Sequence, residues 1–262
     1  MIELTGAAMR QMFPDAPQEV LDAFVRKQSV LTAAGINKTR DRLAYFFANI
    51  EHECGGFTIR NLTENINYTA ERMAQVWPNR FNSAAAVRAK YGSATGWQKK
   101  AFDDIYGNRM GNRAGTSDGS LFIGRGGPQV TGRNGYEEVG KRAKLDLVNN
   151  PELACKYDVQ PEVCAAFWDW KQLNIKADAK DFEGCVRLWN GGTNGMADRR
   201  ALMAGNDPII RRLAAVDALK PVVNDLPAPK PAPPVTTSPA PQPSTSWAAF
   251  FVSIASIFKR TK

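Results

Sequence analysis

Between Asn37 and Gly56 the sequence leaves the backbone little choice. Leu43, Phe46, Phe47 and Ile50 recur at i, i+3, i+4, i+7, the spacing that lines side chains along one face of an α-helix. Gly55-Gly56 then supplies a stop, where the chain can take positive φ and turn out of the helix. Glu53 follows Ile50 by three residues and falls on the same stripe, whereas Glu51 points away from it. Burial disfavours a charged carboxyl, so Glu53 is expected to have a raised pKa and to stay protonated near neutral pH, as a general acid must. The alternative is a helix-terminal Glu that bends to water.

Eleven residues further on, Glu64 lies in Asn61-Leu-Thr-Glu-Asn-Ile-Asn-Tyr68, an irregular polar stretch before a helix that Thr69 is placed to cap. Two carboxylates in contrasting settings can take opposite roles, one protonated and one ionised. On this reading Glu64 is the ionised partner.

Several other chemistries are excluded. His52-Glu53 resembles the start of a zinc-protease helix, but Gly56 stands where H-E-x-x-H needs its second His, and His52 is the only histidine. A Ser-His-Asp or Cys-His site would have to use His52, and Cys54 is badly placed to pair with it. Cys54, Cys155, Cys164 and Cys185 lack C-x-x-C spacing and read as buried free thiols, with a Cys155 to Cys164 bridge as the alternative. Neither metal nor cofactor is expected. Gly124-Arg-Gly-Gly-Pro-Gln-Val-Thr-Gly-Arg133 is not a phosphate loop, because it lacks the G-K-[ST] ending and no strand pattern precedes it. Its glycines are expected to let backbone approach a ligand, with Gln129, Thr131 and the arginines offering hydrogen bonds.

The remaining pattern is mainly α. Helices are expected before residue 36 on either side of Phe13-Pro-Asp-Ala-Pro17, with a Val20, Leu21, Phe24, Val25 stripe, and over Thr69–Trp77, Ser83–Tyr91 and Gly96–Tyr106. Gly107 to Gly127 shows no period, and aperiodic stretches of that length inside a domain are usually functional. Pro151 opens a short helix and Pro161 a longer one, on which Trp168 and Trp170 read as core. Helices near Phe182–Leu188 and from Met196 flank a second Gly/Asn turn, Trp189-Asn-Gly-Gly-Thr-Asn-Gly195.

The body is expected to end near residue 220. Residues 221–246 turn to Pro, Ala, Ser and Thr, the composition of an extended linker. In 247–262, Trp247, Phe250, Phe251, Ile254, Ile257 and Phe258 share a helical face ahead of Lys259-Arg-Thr-Lys262. This stretch is too short for a bilayer span of about 20 residues and reads as an amphipathic helix for an anionic membrane surface. Docking of its apolar face on the body is the alternative. With 262 residues, 44% of them hydrophobic, the chain can bury an enzyme-sized core. Its formal charge of +8 suits a polyanionic partner. No basic stripe interleaved with aromatics points to nucleic acid. The start, Met1-Ile-Glu-Leu-Thr5, lacks the basic and apolar regions of a secretory signal, so synthesis in a reducing cytoplasm is expected.

Taken together and in order, five motifs resemble glycoside hydrolase family 19, and more closely its phage and prophage endolysin branch, which is similar to plant chitinases. They are His52 to Gly56, Glu64-Asn65 with Asn67-Tyr68, Tyr106 to Asn112, Gly124 to Arg133, and Asn190-Gly-Gly192 with Arg199-Arg200. The resemblance covers roughly residues 5 to 215. It implies a two-lobed, lysozyme-like helical domain, with Glu53 as general acid, Glu64 as general base and Thr131 helping to hold the attacking water. Gln129 and Asn190 match positions that line the sugar cleft, and Tyr68, Tyr136 and Arg125 are further candidates for substrate contact. An inverting mechanism of this kind needs the carboxyls about 6.5 to 9.5 Å apart. Two departures stand out: Gly135 occupies the place of a usual Asn before Tyr136, and Gly127-Pro128 replaces the usual pair before Gln129.

The resulting expectation is a monomeric endolysin that hydrolyses the β-1,4 bonds of peptidoglycan, acting from the host cytoplasm on the cell wall. The rivals are a lytic transglycosylase, a chitinase, and a non-catalytic cell-wall or membrane-binding protein.

Overall fold

The computed structural model describes residues 1–216, so the expected linker 221–246 and C-terminal helix 247–262 lie outside the described residues. The described part is mainly α. Helices α1 (Gly6–Met12), α2 (Gln18–Arg26) and α3 (Gln28–Ala33) share one hydrophobic core with the long α4 (Arg40–Cys54). A 3-10 turn over Ile36–Lys38 delays the start of α4 relative to Asn37, and the Thr39 hydroxyl caps it by accepting from the Arg42 N–H at 3.2 Å. At the other end Gly55 and Gly56 have φ of +57° and +65°, the stop their sequence requires.

The Leu43, Phe46, Phe47, Ile50 stripe is fully buried. So are Tyr45, Ala48 and Asn49, and α4 is therefore enclosed on nearly every side instead of lying amphipathically on a surface. Phe46 and Phe47 meet with ring centroids 5.1 Å apart, and Phe46 meets Trp168 edge-on at 5.6 Å. Large apolar side chains of this kind contribute roughly 1.5–3 kcal/mol each on full burial. The core around α4 is thus the main stabilising unit.

A second, smaller core forms among α5 (Ala70–Val76), α6 (Ala84–Tyr91) and α7 (Trp97–Tyr106), with Tyr68, Met73, Phe81, Val87 and Phe102 at its centre. Thr69 and Ser83 cap α5 and α6, their hydroxyls accepting from Arg72 N–H at 3.1 Å and Ala86 N–H at 3.2 Å. The aperiodic stretch 107–127 is not wholly irregular. It contains the short α8 (Asp118–Leu121), where the Arg113 guanidinium bonds Asp118 at 2.9 Å and holds its carboxyl down to about 2.

The chain then returns to the larger core through α9 (Arg133–Ala143), a 3-10 turn Pro151–Cys155, α10 (Gln160–Trp170), α11 (Leu173–Asp178), α12 (Phe182–Asn190) and α13 (Met196–Arg211). Helix α13 lies along α4. Isolated antiparallel bridges tie Ile2 to Ala215, Thr63 to Arg125 and Arg125 to Val130. All four cysteines are unbridged, which removes the Cys155 to Cys164 alternative, and burial pushes the Cys54, Cys164 and Cys185 thiols up. Among the described residues no helix is long and apolar enough to cross a membrane.

Candidate active site

Glu53 projects from the last turn of α4 into the larger core and is 2% exposed. Its partner is Arg199 of α13, equally buried, whose Nη2 donates to Glu53 Oε1. Nη1 of the same guanidinium donates to Asn49 Oδ1 at 2.7 Å, one turn back along α4. The apolar end of the stripe is therefore closed by a cation 146 residues away in sequence, which the reading of α4 alone did not foresee.

The Gly/Asn turn between α12 and α13 explains how Arg199 is held. Asn190 is 1% exposed; its Nδ2 donates to Asn194 O at 3.2 Å, and its Oδ1 accepts from Gly192 N–H at 2.9 Å. The Asn194 carbonyl also accepts from Arg199 Nε at 3.4 Å. In this structure Asn190 builds the turn that aims Arg199. Gly195, at φ +70°, lets His52 close over the turn, since a Cβ there would stand 2.2 Å from the imidazole. His52 Nδ1 is 2.6 Å from Asp198 Oδ2, and burial, with Arg199 nearby, lowers its pKa.

Glu64 sits where the chain passes from the larger core, at Leu62, to the smaller one, at Tyr68. Its backbone N–H donates to Gly124 O at 2.8 Å, and its Oε2 accepts from Gly124 N–H at 3.1 Å. This two-bond clasp needs a residue without Cβ, because a methyl on Gly124 would come within 2.7 Å of Gln129 Oε1. Burial raises the Glu64 pKa, opposed by the Gly124 N–H and Arg125. Glu64 itself is half-buried, so its loop, polar in sequence, is partly closed in space. Glu64 and Thr131 line one narrow cavity, together with Tyr106, Asn112 and Ile123. The Thr131 hydroxyl donates to Gln129 O at 2.9 Å.

The glycines of 124–132 serve close packing of the protein on itself. A Cβ at Gly126 would meet Ala154 O at 2.7 Å, and one at Gly127 would meet Cys164 Sγ at the same distance. Gln129, at φ +54° and 4% exposed, donates its amide to Gly126 O at 3.0 Å and so closes the turn internally. Arg125 and Tyr136 lie behind it. Arg125 Nη1 donates to Leu121 O at 2.6 Å and to the Tyr136 hydroxyl at 2.9 Å, and that hydroxyl donates to Ile123 O at 2.6 Å. Tyr136 is fully buried and Arg125 is 7% exposed. Tyr68 is 7% exposed, with its ring stacked on Trp77 at 5.8 Å in the smaller core.

Two clusters result: Glu53 with Arg199 and Asn49 in the larger core, and Glu64 with Thr131 at the boundary between cores. Arg199 is the residue that site selection from sequence left out, although the Arg199-Arg200 pair after Asn190-Gly-Gly192 was visible. Among the described residues no cluster of His, Cys, Asp or Glu could hold a metal ion.

No family model matches the chain. An acidic endochitinase of Petunia hybrida is 40% identical over 58 residues, and an acidic 27 kDa endochitinase of Solanum lycopersicum is 41% identical over 58 residues. The chain spans only 22% and 23% of the lengths of these two relatives. Among solved structures, chitinase C from Streptomyces griseus aligns with a TM-score of 0.51 at 17% identity, covering 80% of this chain and 93% of that one. A mutant of chitinase C aligns with the same TM-score at 18% identity, covering 80% and 77%. The likeness shows a shared fold, a mainly helical, lysozyme-like architecture.

Proposed function

We propose that the chain is a glycoside hydrolase that cuts β-1,4 bonds in the amino-sugar strand of peptidoglycan, with inversion. The observation that carries this reading is the presence of two carboxyls held in different settings. Glu53 is sealed against Arg199, and Glu64 is clasped by Gly124 beside Thr131 at the boundary between cores. The chitinase-like fold and the short stretches of identity to endochitinases support a glycosidase, and the motif order supports the endolysin branch. The charge of +8 suits an anionic wall.

In the mechanism Glu53 protonates the glycosidic oxygen, and Glu64 takes a proton from a water held with Thr131. The raised pKa of Glu64 strengthens it as a base at any pH where it is ionised. Before Glu53 can donate, its bond to Arg199 has to give way to substrate and the carboxylate has to take up a proton from water, leaving the guanidinium to bind the anion that proton transfer to the glycosidic oxygen re-creates. Arg199 facing Glu53, and burial raising Glu64, also favour a second reading in which the two carboxyls exchange roles. A dinitrophenyl chito-oligosaccharide separates the two, because its leaving group needs no acid. Retained cleavage by Glu53→Gln supports Glu53 as the acid; retained cleavage by Glu64→Gln alone means the roles are exchanged.

The names of the relatives favour chitin as a second substrate class. Digestion of purified peptidoglycan and of colloidal chitin, with fragments read by mass spectrometry, tests the choice. Hydrated reducing ends from peptidoglycan, lost in Glu64→Ala, are expected, whereas products from chitin alone would overturn the peptidoglycan assignment. Anhydro ends that persist in Glu64→Ala would mean a transglycosylase built on Glu53. Residues 247–262 are assigned to an anionic membrane surface, and a protein ending at Leu219 should lose binding to anionic vesicles. Equal binding by both forms would refute that assignment.

A further inference from the structure

Outside the two carboxylate clusters, an open groove lies between the end of α10, α11 and the end of α12. Its apolar walls are unusual for this molecule. Ile175 is 66% exposed and Leu188 44%, and they are two of the three exposed large apolar side chains among the described residues. Trp170 completes the walls.

The charged residues that line the groove, Lys171, Lys176 and Arg187, are all cations. Asp181 bonds Lys176 at 3.0 Å and Glu183 bonds Arg187 at 2.7 Å, but neither carboxylate is among the groove's lining residues. The third cation is held in place by an aromatic ring, with Lys171 Nζ 4.1 Å from the centroid of Trp170. Burial lowers the Lys171 pKa to about 8, so an anion beside it would favour the charged form.

The groove reaches the Gly/Asn turn between α12 and α13. At one end is Gly191, next to Asn190 in the turn that aims Arg199. The edge of Trp170 lies 3.8 Å from where a Cβ of Gly135 would be, in the helix that follows Thr131.

We infer that the groove binds the short acidic peptide borne by the peptidoglycan strand, with Trp170, Ile175 and Leu188 taking its apolar parts and Lys171, Lys176 and Arg187 its carboxylates. This rests on the peptidoglycan reading above. Chitin carries no such substituent, so the groove is a specificity determinant between the two polymers. The chain's own segment 247–262 is a poorer occupant, because Lys259, Arg260 and Lys262 repeat the sign of the groove.

The test uses the full 15N-labelled chain and the synthetic tripeptide L-Ala–γ-D-Glu–meso-diaminopimelate. Saturable shifts are expected at the Trp170 indole and at Lys171, Ile175 and Leu188, and they should be lost in Arg187→Glu. No shift, equal shifts with a carboxamide version of the peptide, or shifts produced by a synthetic 247–262 peptide instead would overturn the inference. In kinetics, Arg187→Glu should raise the ratio of KM on stem-bearing strands to KM on peptide-free strands by about tenfold, as removal of a complementary charge does. Cleavage of peptide-free strands by the unaltered protein is scored separately. Failure there refutes the glycosidase, while intact cleavage without tripeptide shifts refutes only the groove.

Discussion

Replacing Arg199 with Met removes the one cation hydrogen-bonded to Glu53 among the described residues while keeping a long apolar stem in the core. Both partners are almost fully buried, with side-chain exposures of 2% and 3%, so solvent cannot take over when one is lost. Breaking a buried pair from one side typically costs about 3–5 kcal/mol, because the remaining group stays desolvated. Arg199 also gives up its bond to Asn49 at 2.7 Å, which places the expected loss toward the upper end of that range. At roughly 2–4 °C per kcal/mol for a domain of this size, the melting temperature should fall by about 6–20 °C. The cycle is completed by Glu53→Gln and by the double variant, with urea unfolding monitored by circular dichroism. The double variant should be more stable than the sum of the single losses predicts, by about 1–3 kcal/mol, since neither group is then left alone. Additive losses, or an Arg199→Met loss below about 1 kcal/mol, would refute the view that this pair is a coupled, buried unit.

Three further outcomes follow from the site. Glu64 has a folded pKa raised above its ordinary 4.5, so the stability linked to its protonated form is complete below that value and is lost as pH rises through the folded pKa. Glu64→Gln, which keeps an acceptor for Gly124, should therefore melt higher than the unaltered protein at neutral pH, with the gain vanishing below about pH 4.5; a gain independent of pH would contradict this. Tyr136→Phe should lower stability by about 1–3 kcal/mol through the lost bonds to Ile123 O and Arg125, with KM unchanged; a raised KM at unchanged stability would instead mark Tyr136 as a substrate contact. Gly195→Ala forces a methyl within 2.2 Å of His52 at φ +70°, and a loss of about 1–3 kcal/mol together with reduced turnover is expected from thermal melts and initial rates.

Local chemistry was legible where it depends on neighbours in sequence. The stripe on α4, its Gly55-Gly56 stop and the Thr69 cap all rest on spacing within a turn or two, and each stands in the structure. Helix α9 escaped because Tyr136 and Val139 are its buried large apolar residues, amid Gly135, Gly140 and charged side chains. The short α8 and α11 offer too few residues for a period to register. At the site, the two carboxylates were visible, but their surroundings were not. Arg199 reaches Glu53 across 146 residues, and no local pattern encodes that pairing. Glu64 looked solvated because its sequence neighbours are polar, whereas its spatial neighbours are Gly124, Tyr106 and Ile123. The glycines around 126 suggested an approach to a ligand, yet what approaches them is Ala154, Gln160 and Cys164 of the same chain.

The most direct test of a two-carboxylate inverting hydrolase is the configuration of the first product. Soluble peptidoglycan strands should be digested inside an NMR tube and the reducing-end anomeric protons followed before mutarotation sets in. Water delivered by Glu64 to the face opposite the leaving oxygen predicts the α-anomer first, with the β-anomer appearing only as the sugar equilibrates. Initial β-anomer, or an anhydro end with no anomeric hydroxyl, would contradict the account.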